Sequence, residues 1–325
     1  MKKIGGLLLT VVLSLLLTFI IIEYMPGDPI QMKADEYVRV EGLTHELARE
    51  KAKMILNYDP DTPLYERFFN YLEGIVTGNL GESMFYRKPV TDIIFAALPW
   101  TMLVVTISLT LSFIFGSLIG IYVALKNSKT LNGITIAYSS IFGAIPDYIV
   151  AFIITFFVAV KLGWLPARGA YSVNVDVGFN MPFIIDVIKH AILPVTAYFV
   201  TQIAGWVMSM RASCVSVVGE DYVQYARARG LSENRIRVAY IGRNAILPIV
   251  TSLAISFGFM FGGSPLVENF FAYPGMGYYL NQAVGSRDYP MMQGMFFLII
   301  LMVIISSLVA ELLYTVLNPR LRVRG

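Results

Sequence analysis

The segment EDYVQYARARGLSENR, Glu220 to Arg235, concentrates the side chains of this 325-residue chain best suited to gripping another molecule. Tyr222 and Tyr225 supply amphipathic rings, Arg227, Arg229 and Arg235 supply permanent positive charge on planar donors, and Glu220 and Asp221 add a negative edge. This is the chemistry of recognition, not of bond-making. Val218, Tyr222 and Tyr225 fall at i, i+4 and i+7 and predict an apolar-aromatic stripe on one helix face, with Glu220 and Arg227 pointing away from it. Gly230 stands where a helix C-cap glycine belongs, and Leu231 is its usual apolar partner. Ser232 caps a second helix, Glu233 suits its first turn, and Arg235, Arg237 and Arg243 lead on towards Asn244 and Pro248. The spacing predicts a helix–glycine–helix elbow shaped to dock into a partner. The alternative is a basic loop that only fixes membrane topology, but such a loop needs neither the tyrosines nor the caps.

Other chemistry-bearing residues are sparse. Asp147, in GAIPDYIV, is an acid within or near the end of an apolar run. Such an acid is read first as functional, here as lining a substrate path. The competing reading is that Pro146 breaks the helix and Asp147 caps the next piece near the interface. Phe270, Phe271 and Tyr273 precede the turn YPGMG (273–277), which reads as a re-entrant or mouth element, or equally as interfacial aromatics. Arg287 and Asp288 are expected to pair with each other. The single cysteine, Cys214, permits no intrachain disulfide, and His45 and His190 lie too far apart in sequence to suggest a metal site. No G-x-x-x-x-G-K-[ST] phosphate loop occurs and no acid pair stands beside a nucleophile inside the apolar runs, so no catalytic residue, cofactor or metal is assigned to the chain.

The elements that must position these residues are set by lipid. Hydrophobic residues make up 56% of the chain and charged residues only 14%, where a soluble domain carries about a quarter. A hydrocarbon core about 30 Å thick needs about 20 apolar helical residues. Six runs qualify: 4–22, 99–125, 131–160, 191–210, 244–267 and 289–310, with Asp147 their one charge. The first follows Lys2 and Lys3 as a signal peptide would. It exceeds the usual length of about 7–15 apolar residues, and no small-x-small cleavage site follows, so it is expected to be a retained helix. With the N-terminus inside, the inner segments hold 13 Lys and Arg in 54 residues and the outer ones 12 in 127, which places both termini in the cytoplasm. The net charge of +3 is thus a topology signal and points to no nucleic acid.

The chain divides into a first transmembrane helix (1–22), an extracytoplasmic subdomain (23–98), a five-helix core (99–317) with its cytoplasmic loop 211–245, and a cytoplasmic tail (318–325). The outer segment predicts about two helices, one capped by Thr44 and one starting at Thr62–Pro63 and ending at Gly78, before a tight turn in GNLGES (78–83). Gly116, Ser117, Gly120, Gly143, Pro146, Pro194, Pro248, Gly258, Gly262 and Gly263 suit closely packed, locally broken helices that line a pathway.

EDYVQYARARGLSENRIRVAYIGRNAILPIV (220–250) resembles the cytoplasmic loop of importer permeases of the ATP-binding-cassette class, and within it the first permease subunit of the dipeptide and oligopeptide branch. PGDP (26–29), GNLGES (78–83), LVENFFAYPGMGYYLNQAVGSRDYPMMQG (266–294) and NPRLR (318–322) agree in order, so the resemblance covers essentially the whole chain. It departs from the general permease motif, Glu-Ala-Ala then glycine, in holding Gln224, Tyr225 and Ala226 at those places, and in a longer interval from Gly230 to Pro248. Both features resemble the peptide branch's own variant.

The resemblance implies an all-α polytopic fold of the type I importer class with six transmembrane helices, in a bacterial-type inner membrane. It implies a coupling helix seated in an ATPase groove, with Glu220, Asp221, Tyr222, Tyr225, Ala226, Arg227, Arg229, Gly230, Leu231 and Arg235 as contact residues. Asp147, Phe271 and Tyr273 are the substrate-path candidates, and in the resemblance the YPGMG turn (273–277) with the aromatics before it faces the binding protein or the gate. The implied partners are a second homologous permease, two cytoplasmic ATPases that hold the ATP and Mg²⁺, an extracytoplasmic binding protein, and membrane lipid. Di- or oligopeptides are the expected cargo, with oligosaccharides or nickel complexes the alternative. A secondary transporter without an ATPase would need paired broken helices carrying acids at the midplane, for which Asp147 is the one sign.

Overall fold

The computed structural model describes residues 2–56, 62–126 and 128–317. The tail expected at 318–325, with its NPRLR motif, lies outside them. Among the described residues the regular structure is helical, with one isolated bridge between Glu82 and Pro89. Four helices among the described residues are long and apolar enough to cross a membrane: α5 (Val90–Lys126), α8 (Met181–Val218), a continuous helix Glu233–Gly262, and α14 (Tyr289–Leu317), whose apolar stretch runs to Val316. A broken helix pair passes the same test when taken as one span, and α1 (Lys2–Glu23) carries the apolar run 4–22.

The observed helices outrun the expected spans. At 37 and 38 residues, α5 and α8 extend over roughly 56 Å, well past an apolar slab of about 30 Å. Hydropathy marks only their lipid-length portion. The expected span 131–160 is instead two helices, α6 (Lys129–Phe142) and α7 (Asp147–Ile154, continued by a π-helical stretch Thr155–Lys161), bent by 94°. Pro146 occupies the N-cap of α7, Asp147 starts its first turn, and the Asp147 carboxylate accepts the Tyr148 amide at 2.9 Å. The helix breaks at Pro146 as expected, but Pro146 itself holds the N-cap and Asp147 follows it in the first turn.

Contacts group the chain into two units. The first comprises Met1–Thr101, Phe261–Asn269 and Pro274–Ile304. Its outer segment folds into three helices where two were expected: α2 (Pro29–Glu41), α3 (His45–Leu56) and α4 (Leu64–Thr77). Helix α2 is started by Asp28, which accepts the Ile30 amide at 2.8 Å, with Pro29 in the first turn. Pro63 takes the N-cap of α4, one place earlier than the usual N1 proline, and Gly78 closes the helix by donating to Ile75 at 3.3 Å. Ile30, Ala34, Ala48, Ala52 and Leu56 from this segment share one apolar core with Val90, Ile94, Met276, Leu280, Met291 and Met295. The outer segment is therefore packed into its unit.

Arg287 and Asp288 do not pair. Asp288 is fully buried; its carboxylate takes the Ser83 hydroxyl at 2.5 Å and the amides of Phe85 and Met291 at 3.1 and 3.2 Å, capping α14 and tying down the turn after GNLGES. Arg287 instead donates to the Pro26 carbonyl at 2.8 Å.

The second unit comprises Met102–Met260, Phe270–Tyr273 and Ile305–Gly325, and is organised on α8, against which α6, α7 and α11 (Arg243–Phe259) pack. A Cβ on Gly116 would lie 2.5 Å from the Trp206 Cβ, and one on Gly120 would lie 2.6 Å from the Val207 carbonyl oxygen, so α5 approaches α8 closer than any larger residue allows. Polar side chains join the same elements. Tyr138 donates to the Val200 carbonyl at 2.7 Å, Arg211 to Asn132 at 3.0 Å and Ser213 to the Ala245 carbonyl at 2.7 Å.

Candidate functional site

The elbow forms. Helix α9 (Asp221–Ala228) follows Glu220 at its N-cap, and α10 (Glu233–Arg235) follows Ser232 and runs without a break into the π-helical stretch Ile236–Gly242 and α11. Gly230 sits at φ +71°, a left-handed conformation that strains any residue with a Cβ, and its amide donates to the Arg227 carbonyl at 2.9 Å. Leu231 then donates to Ala226 at 3.3 Å, closing the cap. Across the bend, Arg227 Nε lies 3.4 Å from Glu233 Oε1, with both side chains about half exposed.

The buried face differs from the expected stripe. Val223 and Ala226 are buried and pack α9 on the π-helical stretch that contributes Ile236 and Ile241. Tyr222 is half-buried, and Tyr225 is 72% exposed. The i, i+3 pair holds the elbow to its own chain, leaving Tyr225, Arg227, Arg229 and Arg235 on the outside with Glu220 and Asp221, while Leu231 is half-buried. Tyrosine and arginine dominate interface hot spots because each joins a rigid contact area to directed donors. The structure thus places Glu220, Asp221, Tyr225, Arg227, Arg229 and Arg235 together on the exposed side of the elbow, with Val223 and Ala226 turned inward.

The substrate-path candidates lie apart from this surface. Asp147 starts α7 and is half-buried. Phe271 and Tyr273 are buried, and the Phe271 carbonyl accepts the Gly169 amide at 2.7 Å.

A buried carboxylate in the loop after Gly262 escaped the sequence reading. Glu268, on α12 (Pro265–Phe270) and outside the spans, is 2% exposed. Oε1 accepts the Thr101 hydroxyl at 2.9 Å, and Oε2 accepts the amides of Gly277 and Tyr278 at 2.8 and 3.1 Å, at the start of α13 (Met276–Ser286). Thr101 in turn accepts the Met276 amide at 2.8 Å. A Cβ on Gly275 would collide with Glu268 Oε2 and Thr101 Oγ1, so glycine is what lets the turn close over the carboxylate. Burial pushes the Glu268 pKa up to about 7 against the pull of Thr101 and the backbone donors. The signal available in sequence was an acid in a run of glycines and apolar residues, GGSPLVENFFAYPGMG.

Helical structure throughout the described residues, with several membrane-length helices and a well-capped, outward-facing elbow between two of them, is the architecture of a multi-pass membrane protein. Residues 116–323 match the family described as binding-protein-dependent transport system inner membrane component, and the chain belongs to that family. It is 33% identical over 323 residues, 99% of this chain and 97% of the relative, to the glutathione transport system permease protein GsiC of Escherichia coli K12. The proteins of the same name from Escherichia coli O6:H1 and Shigella dysenteriae serotype 1 match with the same identity and coverage. This chain is therefore a permease component of an inner-membrane importer, the class to which ATPase and binding-protein partners belong.

Proposed function

We propose that the chain is one permease half of an ATP-driven importer of di- or oligopeptides. Whole-length similarity to permeases named for transport of glutathione, itself a small peptide, carries the cargo class. The exposed Tyr225–Arg229 surface on a rigid bend carries the coupling role. A second homologous permease completes the pathway, two cytoplasmic ATPases hold ATP and Mg²⁺, and a binding protein delivers cargo from outside. The chain itself is not the enzyme. The Lys and Arg distribution supports cytoplasmic termini, a cytoplasmic loop at 211–245 and an extracytoplasmic subdomain at 23–98.

In this reading ATP closes the ATPase pair, the pair moves Glu220–Arg235, and the continuous helix Glu233–Gly262 passes the movement into the membrane. Coupling requires that the ATPase contact the elbow differently in its two states, since a ligand shifts a conformational equilibrium only by its differential affinity. Asp147, at the 94° break, remains the substrate-path candidate; Phe271 and Tyr273 join the path only in a state that uncovers them.

The test is affinity purification of the chain from its native membrane in mild detergent. Recovery of a second permease and an ATPase supports the assignment, and peptide bound to the accompanying binding protein supports the cargo. An intact complex that lacks an ATPase refutes the importer reading, and an oligosaccharide or nickel complex on the binding protein refutes the cargo alone.

A further inference from the structure

Lys126 is the last residue of α5, where the uncharged run 99–125 ends. Arg237 lies within the π-helical stretch near the start of the long helix and Arg243 directly follows it, just before the uncharged run from Asn244 begins. These three cations line one groove of about 820 Å³ together with Leu118, Ile121 and Ile246, and no carboxylate lines it. Lys126 donates to the Tyr122 hydroxyl at 2.9 Å, whereas the Arg237 and Arg243 side chains make no hydrogen bond or ion pair among the described residues. Leu118 and Val238 are exposed beside them. The groove thus has a cationic rim where apolar helix meets polar loop and an apolar wall on the membrane side.

We propose that this groove binds an anionic phospholipid, its phosphate held by Arg237, Arg243 and Lys126 and its first acyl chain laid along Leu118, Ile121 and Ile246. Basic clefts between membrane helices at the interface suit such headgroups, because the phosphate gains planar donors while the chain never leaves apolar surroundings. A π-helical turn inside a helix is a frequent mark of a functional position, and here it carries Arg237 and Gly242 into the groove lining. The inference rests only on the chain's membrane insertion and is independent of cargo and of the coupling elbow.

The whole complex, reconstituted in phosphatidylcholine nanodiscs containing a trace of photoactivatable phosphatidylglycerol, is irradiated and the adducts are mapped by peptide mass spectrometry. Adducts are expected on 118–126 and 234–246, falling about fivefold or more in the double variant Arg237→Gln/Arg243→Gln and persisting in Arg237→Lys/Arg243→Lys. Equal labelling of these segments by photoactivatable phosphatidylcholine overturns the proposal, as does undiminished labelling in the double glutamine variant. Labelling that appears only when the chain is stripped of its partners also overturns it, by giving the groove to a protein. If the double glutamine variant does not accumulate, Lys126→Gln is read by the same criteria.

Discussion

Tyr225 is the residue most directly tied to coupling, since a large aromatic ring left 72% exposed, two and four residues before Arg227 and Arg229, contributes little to the chain's own packing. Tyr225→Ala is expected to weaken ATPase association by about 1–2 kcal/mol, roughly tenfold, with membrane insertion unchanged; titration of purified ATPase onto the reconstituted permease measures this. Arg227→Ala and Arg229→Ala are expected to lower substrate-stimulated ATP hydrolysis in the same preparation. Thermal stability should barely move, because the exposed Arg227–Glu233 pair contributes at most about 1 kcal/mol.

Glu268 makes a different prediction. Its pKa is raised from 4.5 to about 7, so between those values the folded protein holds a proton that the unfolded chain has released. Stability therefore falls as pH rises through that window and is flat above it. The melting temperature of the purified complex, followed from pH 5 to 8, should show this slope in wild type. The slope should be much reduced in Glu268→Gln, which lacks the titrating group.

At the scale of elements, the turns and caps were legible because each is decided by one or two neighbouring residues. Gly230 and Gly78 end their helices as the sequence indicates. Gly230→Val is expected to cost about 1–2 kcal/mol locally and to lower stimulated ATPase activity more than it lowers the melting temperature. Features set by distant partners were not legible. Val223 and Ala226, not the tyrosines, form the buried stripe because the π-helical stretch packs against that face. The bend between α6 and α7 hides inside an unbroken apolar run, since hydropathy counts residues and is blind to direction. The Glu268 cage needs Thr101, 167 positions away, and the Asp288 cap needs Ser83, 205 away. Asp288→Ala removes a cap and leaves a buried hydroxyl and amides without their acceptor, so a loss of roughly 2–4 kcal/mol is expected in thermal unfolding, far beyond a simple cap deletion.

For the whole molecule, the composition was enough for a helical membrane protein, and the order of motifs along the chain was enough for its family. The central claim is that the elbow at Glu220–Arg235 is where the ATPase acts. The most direct measurement introduces Tyr225→Cys and treats native membranes with a short thiol-to-amine crosslinker; Cys214 is fully buried and serves as the internal background. The account predicts an adduct between this chain and an ATPase subunit, mapped to position 225 and absent from wild type. No adduct from a complex that still contains its ATPase, or an adduct only to some other protein, would contradict it.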